Sequence, residues 1–122
     1  MSTTGFENLE VWKISCRLSV DVYKNLAVCK DYGFKDQITR SSLSIPSNIA
    51  EGNDRLTNKD NIKFLYYSKG SCAELRTQIY IGVEIGYISK ELGVEWIAKT
   101  KQISKMLQGL INSLNIKVEN KK

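Results

Sequence analysis

Four stretches of this chain repeat apolar residues at alternating steps of three and four, and no stretch alternates with period two for long enough to make a strand. That spacing lines the apolar side chains along one side of a helix, which must then bury its stripe against another helix. With 122 residues there is length for one domain and one core, without help from disulfides or metal. The breaks fall near 30–34, 53–57 and 89–91, and such short connections make neighbouring helices antiparallel. The expected fold is all-α, an antiparallel up-and-down four-helix bundle. Residues 1–122 form its single domain, with an ordered core over about 6–114 and a fraying basic tail over 115–122.

In the first segment, about Asn8 to Cys29, the stripe is Leu9, Trp12, Cys16, Ser19, Tyr23 and Leu26, widened by Val11, Ile14, Leu18 and Val22. Lys30-Asp31-Tyr32-Gly33 reads as a turn, with Gly33 free to take positive φ. The second segment, about Lys35 to Gly52, carries Ile38, Ser42, Ile45 and Ile49 on one face and Pro46 in its interior. A proline there removes one helical hydrogen bond. The segment is therefore either a kinked helix or two short helices, with Pro46 in the first turn of the second. Thr57 followed by Asp60 is a capping signal for a third helix, about Asn58 to Ile88. Its stripe is Leu65, Ser68, Cys72, Leu75, Ile79, Gly82 and Gly86, whose small members let a partner helix approach closely. The last helix, about Leu92 to Leu114, sets Trp96, Thr100, Ile103, Leu107, Leu110 and Leu114 along a heptad-like seam. Trp12, Tyr23 and Trp96 all stand at core spacing. Tyr66, Tyr67 and Tyr80 flank the third stripe and cannot all face one core.

The formal charge is +5, of which the last six residues supply +2. An excess this mild and dispersed permits a nucleic-acid partner without requiring one. Cys16, Cys29 and Cys72 are odd in number and lack CxxC spacing, which suits a reducing compartment better than a disulfide framework. Cys16 and Cys72 fall on apolar stripes as small core residues, while Cys29, beside Lys30 at a helix end, is expected at the surface. The opening MSTTGFENLEVWK has neither the basic nor the apolar region of a signal peptide. No stretch reaches the roughly 20 apolar residues of a membrane helix. A cytoplasmic protein without a membrane partner is expected.

There is no histidine. That removes the commonest general base, the usual nucleophile–base pairs and the commonest metal ligand. Glu51, Glu74 and Glu84 could still cluster, but the Glu-x-x-His pairs of di-iron bundles cannot occur. The residues nominate no catalytic, cofactor or metal site, and the expectation is a protein that is not an enzyme and takes no cofactor.

One polar row remains, Arg40, Ser44, Ser47, Glu51 and Arg55 at helical spacing with Asn48 beside it, facing a comparable row of Ser71, Glu74 and Gln78. Two readings stand level. Either these are solvated faces with an intrahelical Glu51–Arg55 pair, or Arg40, Asn48, Glu51, Arg55, Glu74 and Gln78 form a polar network shielded between helices or subunits.

Several blocks carry a resemblance: Phe6, Leu9, Val11 and Trp12; Tyr32-Gly33-Phe34 through Gln37-Ile38-Thr39-Arg40; Ser44-Ile45-Pro46-Ser47-Asn48-Ile49-Ala50-Glu51-Gly52; and Arg55. Phe64-Leu65, Gly70-Ser71, Glu74-Leu75, Thr77-Gln78 and Gly86-Tyr87-Ile88 complete the set. With these the chain resembles the 23S rRNA-intervening-sequence protein family over about residues 6–114. The resemblance implies a four-helix bundle that assembles as a ring-like homopentamer with no enzymatic activity. Some members are encoded by insertions within large-subunit ribosomal RNA genes. A similar protein is the accessory factor of diversity-generating retroelements, a basic pentamer that binds a reverse transcriptase and nucleic acid. Thr39-Arg40 departs from the two basic residues that often follow Gln-Ile in the family, and the mild charge weakens the retroelement analogy.

Two expectations about partners follow. Val11, Val20, Val28, Tyr66, Tyr80 and Val94 exceed what four single stripes need, so a homo-oligomer is expected, with the number five implied by the resemblance. Arg55, Lys59 and Lys63 at the second-to-third helix junction, with Lys117, Lys121 and Lys122 in the tail, are the candidate contacts to RNA, DNA or a nucleic-acid-associated protein. The alternative is a purely protein-binding module whose lysines only solubilise its surface.

Overall fold

The computed structural model describes residues 5–120, and a capping side chain marks the start of three of its four α-helices. A short 3₁₀ turn, Phe6–Asn8, leads into α1 (Glu10–Asn25), α2 (Tyr32–Asn53), α3 (Asn58–Glu84) and α4 (Lys90–Asn120). Asp31 caps α2 by accepting from the Phe34 N–H at 3.1 Å, and Thr57 caps α3 by accepting from the Asp60 N–H at 3.1 Å. At the far end of α3, Gly86 takes φ +87°, and the Tyr87 N–H turns back 2.8 Å onto the Gly82 carbonyl. This is a Schellman closure, in which a left-handed glycine lets the last carbonyls of the helix find donors. Lys35 Nζ does similar work for α1, donating to the Ala27 carbonyl at 2.8 Å.

Successive helices pack on one another, α1 on α2, α2 on α3 and α3 on α4, and α1 closes the ring on α4. The result is an all-α four-helix bundle, with no strand among the described residues. Its core runs through Val11, Leu18, Val22, Ile38, Ile45, Ile49, Leu65, Leu75, Ile79, Trp96, Ile103, Leu107 and Ile111. Burying each such side chain contributes about 1.5–3 kcal/mol before chain entropy is charged against it. Small hydroxyls fill the closest approaches. Ser19 and Ser42 meet at 3.0 Å between α1 and α2, Ser71 donates to the Ser44 hydroxyl at 2.9 Å between α3 and α2, and Ser68 donates to the Ile45 carbonyl at 2.8 Å. Each side chain is short enough to bring two backbones together, and its hydroxyl is hydrogen-bonded rather than stranded.

Several sequence expectations need correction. Gly33 lies inside α2 without positive φ, because the cap is Asp31 and the helix starts at Tyr32. Of the two readings of Pro46, the single helix holds and the two short helices do not: α2 is continuous, its proline buried and its serines bonded to both neighbours, so packing outweighs one lost ladder bond. Gly86 belongs to the turn, not to the α3 stripe. The supposed tail continues α4 as far as Asn120, since extending an existing helix carries no nucleation cost. On α1 the buried line is Val11, Ser15, Leu18 and Val22, so the row expected to widen the stripe is its centre. Trp12 and Cys16 are half-buried at its edge, Tyr23 is exposed, and Cys29 is half-buried rather than at the surface.

Candidate functional site

The α2–α3 junction and the last turns of α4 meet at one end of the bundle, where Asn53, Asn61 and Lys117 share the wall of a cleft of about 130 Å³. In the junction the Arg55 guanidinium carbon stands 4.5 Å from the Phe64 ring centre, and Lys63 Nζ is 5.8 Å from the same ring. Both cations are drawn to the negative face of the ring, which Tyr67 meets edge-on at 5.4 Å. Lys59 is exposed in the first turn of α3. The fold thus gathers Arg55, Lys63 and Lys117 at one end with Lys59 alongside; Lys121 and Lys122 lie outside the described residues. Phe64 was not singled out as a site residue from sequence, because Arg55 reaches it from a turn where helical spacing carries no signal. Glu51, Asp54 and Asp60 sit in the same stretch and balance its three cations, so the junction has no net charge.

The polar rows separate into three local groups. Arg40 pairs with Asp36 at 2.9 Å, with both side chains largely in solvent. Asn48 donates to the Ser44 carbonyl and hydroxyl at 2.9 and 3.0 Å. Glu51 meets Arg55 at 3.3 Å, with 58% of the Glu51 side chain exposed. Within one chain, then, Glu51 is neither shielded nor linked to Arg40, Asn48 or Gln78, because α2 turns it away from the buried line of Ile38, Ser42, Ile45 and Ile49. Arg40, Glu74 and Gln78 do share one feature, a groove of about 300 Å³ between α2 and α3, where Gln78 Oε1 is buried with no donor. In the monomer, Glu51→Ala should cost under about 1 kcal/mol, as exposed i,i+4 pairs do. A urea titration that gave a loss of several kcal/mol would show that assembly covers the pair.

The outer face of α3 is unusual. Tyr66, Tyr67, Tyr80, Ile81 and Ile85 are each about half exposed, on the side facing away from the core. Gly70 lies among them, and a Cβ added there would meet nothing within 4 Å. Gly82 and Gly93 differ from it, since a Cβ on Gly82 would strike Ile88 and Phe34 and one on Gly93 would strike Val83. Those two have a reason inside the chain. Gly70 costs about 1 kcal/mol of helix propensity with no such return. Of the apolar excess expected from sequence, Val20, Val28, Tyr66, Tyr80 and Val94 are exposed, but Val11 belongs to the core.

The family described as 23S rRNA-intervening sequence protein matches residues 7–109, a span that includes all of α1, α2 and α3 and most of α4. The chain belongs to this family. A solved structure similar to it is a protein of unknown function from the S23 ribosomal protein family of Bacteroides thetaiotaomicron. The two are 26% identical, with a TM-score of 0.78, over 83% of this chain and 97% of the other. No curated protein matches.

In this member of the 23S rRNA-intervening sequence protein family, the matched span holds the junction, the groove and the α3 face, while Lys117 lies beyond it. Two of its thiols, Cys16 and Cys72, are poorly suited to chemistry. Burial pushes the Cys72 thiol up to about 12 and raises that of Cys16, whereas a reactive cysteine needs a lowered value. Among the described residues no three His, Cys, Asp or Glu side chains stand close enough to hold a metal ion, and Glu51, Glu74 and Glu84 are all exposed. At the other end of the bundle Tyr87 donates to Asp31 Oδ2 at 2.9 Å. The Phe34 N–H and that hydroxyl together hold the Asp31 carboxyl below its ordinary range, and the same bond raises the Tyr87 phenol. These groups fasten the start of α2 to the α3–α4 turn. Among the described residues no helix is long and apolar enough to cross a membrane.

Proposed function

We propose that this protein is a non-enzymatic, homo-oligomeric helical scaffold, with the outer face of α3 as its subunit interface. The observation that carries the reading is Gly70 in an exposed field of Tyr66, Tyr67, Tyr80 and Ile81. Tyrosines and isoleucines interleaved with Glu74, Thr77 and Glu84 give the mixed character of a subunit interface, and a glycine with empty space above it lets a second helix approach closely. The orphan Gln78 Oε1 in the adjoining groove adds support, because a donor from another copy would satisfy it. Five copies is the number that the family resemblance implies.

Light scattering tests this directly. Wild-type protein should give a multiple of the 13.8 kDa chain mass at micromolar concentration. Gly70→Arg should return the single-chain mass while keeping full helicity, since arginine is the better helix former by nearly 1 kcal/mol. A wild-type monomer, or a Gly70→Arg oligomer of unchanged size, would refute the interface.

A second reading, contact with nucleic acid, is favoured by the convergence of Lys59, Lys63 and Lys117 at one end, which a ring of copies would repeat around its axis. The balancing carboxylates of the junction limit it. Affinity for a structured RNA should be sequence-tolerant and fall steeply as salt rises. Absence of binding at low salt leaves a scaffold that holds proteins alone.

A further inference from the structure

We infer that the α3 face of one copy seats in the seam between α1 and α4 of the next, so that copies join head to tail. The inference rests on the reading of the α3 face as a subunit interface, and it names the surface that receives that face. α1 and α4 make the slightest contact of the four neighbouring helix pairs, and their seam carries two half-open apolar gaps. One, of about 440 Å³, is walled by Ile14, Leu18 and Val20. The other, of about 350 Å³ and nearer the start of α1, is walled by Leu9, Met106 and Leu110. Gly109 stands in the wall of this second gap, and a Cβ added there would meet nothing within 4 Å. Like Gly70, it costs helix propensity with no return inside the chain. α3 touches α2 and α4 but not α1, so its outer face and the seam lie on different sides of the bundle. A pairing of α3 with α3 would be complete with both seams still open to water. α3 on the seam uses both surfaces of every copy.

Charge sets the direction. α1 and α3 run the same way, and Leu9 and Leu65 line one cleft at the same end of the bundle, which puts them at one height. Counting on from there at about 1.5 Å per residue, Glu74 stands level with Arg17, and Lys63 lies within about one turn of Glu10. Glu10 and Arg17 both line the seam. Two copies side by side in the same direction therefore set Lys63 against Glu10 and Glu74 against Arg17. All four are exposed, and none has an ion-pair partner among the described residues. On the same count Tyr66 comes level with the gap at Leu9, and Tyr80 leans toward the gap at Val20, since helical side chains point back toward the N-terminus. A tyrosine suits such a place because its ring fills an apolar gap while its hydroxyl reaches the polar rim.

Mixing two variants tests the pairing. Gly70→Arg spoils the face and leaves the seam, whereas Val20→Arg spoils the seam from an exposed position and leaves the face. Each alone should give the single-chain mass by light scattering and keep wild-type helicity by circular dichroism. Mixed in equal amounts, well above the concentration at which wild type assembles, they should form a species of twice the 13.8 kDa chain mass and no larger. One intact face then meets one intact seam, and the contacts stop there. Two results overturn the inference while leaving the α3 interface standing: Val20→Arg at the size of wild type, or a mixture that never exceeds one chain. A monomeric wild type, or a Gly70→Arg oligomer of unchanged size, overturns the α3 reading and this inference with it.

Discussion

Trp96→Ala should remove about 3–5 kcal/mol of folding stability, the range for truncating a buried tryptophan. A domain of this size holds only about 5–15 kcal/mol in all, so the melting temperature should fall by roughly 15 °C. The reason is geometric. Trp96 heads the largest fully buried side chains and stands where α1 closes on α4. Truncating it enlarges a gap that is already open and leaves the α1 residues beside it, Ile14 and Leu18, short of partners. Trp96→Phe separates the two contributions. It keeps most of the ring volume and deletes an N–H that has no acceptor among the described residues, so relief of about 1–3 kcal/mol offsets much of the lost packing. Phenylalanine should therefore cost far less than alanine when melting is followed by circular dichroism. Equal losses for the two would mean that the indole N–H is satisfied after all.

The helices were legible because burial imposes a period. Ile38, Ser42, Ile45 and Ile49 could be read from sequence as one line and are one line, as are Leu65, Ser68, Cys72, Leu75, Ile79 and Gly82. On α1 two adjacent rows are both apolar, and period alone cannot rank Trp12 and Cys16 against Val11 and Leu18; only the position of α2 and α4 does so. Gly33 misled because its turn chemistry is real, yet Asp31 two residues earlier captures the Phe34 N–H and starts the helix. The site was less legible. Charge pattern found Arg55, Lys59 and Lys63 but not Phe64, since a turn residue and a helix residue nine apart share no period. The α1–α4 gap left no trace in sequence at all, because a cavity is set by what two distant segments fail to fill.

Gly52 shows how tightly the α2–α3 junction is built, and Gly52→Val should cost about 2–3 kcal/mol. A Cβ on Gly52 would stand 2.8 Å from both Phe64 Cβ and Asn61 Oδ1, and 3.1 Å from the Asn61 carbonyl oxygen. The Asn61 amide can swing aside. Phe64 Cβ and the Asn61 carbonyl belong to the frame of α3 and move only if its opening turns move with them. Overpacking of that kind costs about 1–3 kcal/mol, against which alanine recovers about 1 kcal/mol of helix propensity lost at glycine. Gly52→Ala should therefore cost about 0–2 kcal/mol, less than valine. Valine recovers less propensity, and its two γ-methyls push against the same contacts. Shifting α3 would also draw Phe64 away from Arg55, now 4.5 Å from the ring centre, so the end that gathers the cations would loosen with the fold. Urea unfolding should show a lower midpoint at unchanged slope for the valine variant, the mark of lost stability without a changed unfolded state. A midpoint equal to wild type would mean that α2 and α3 part at this crossing without strain.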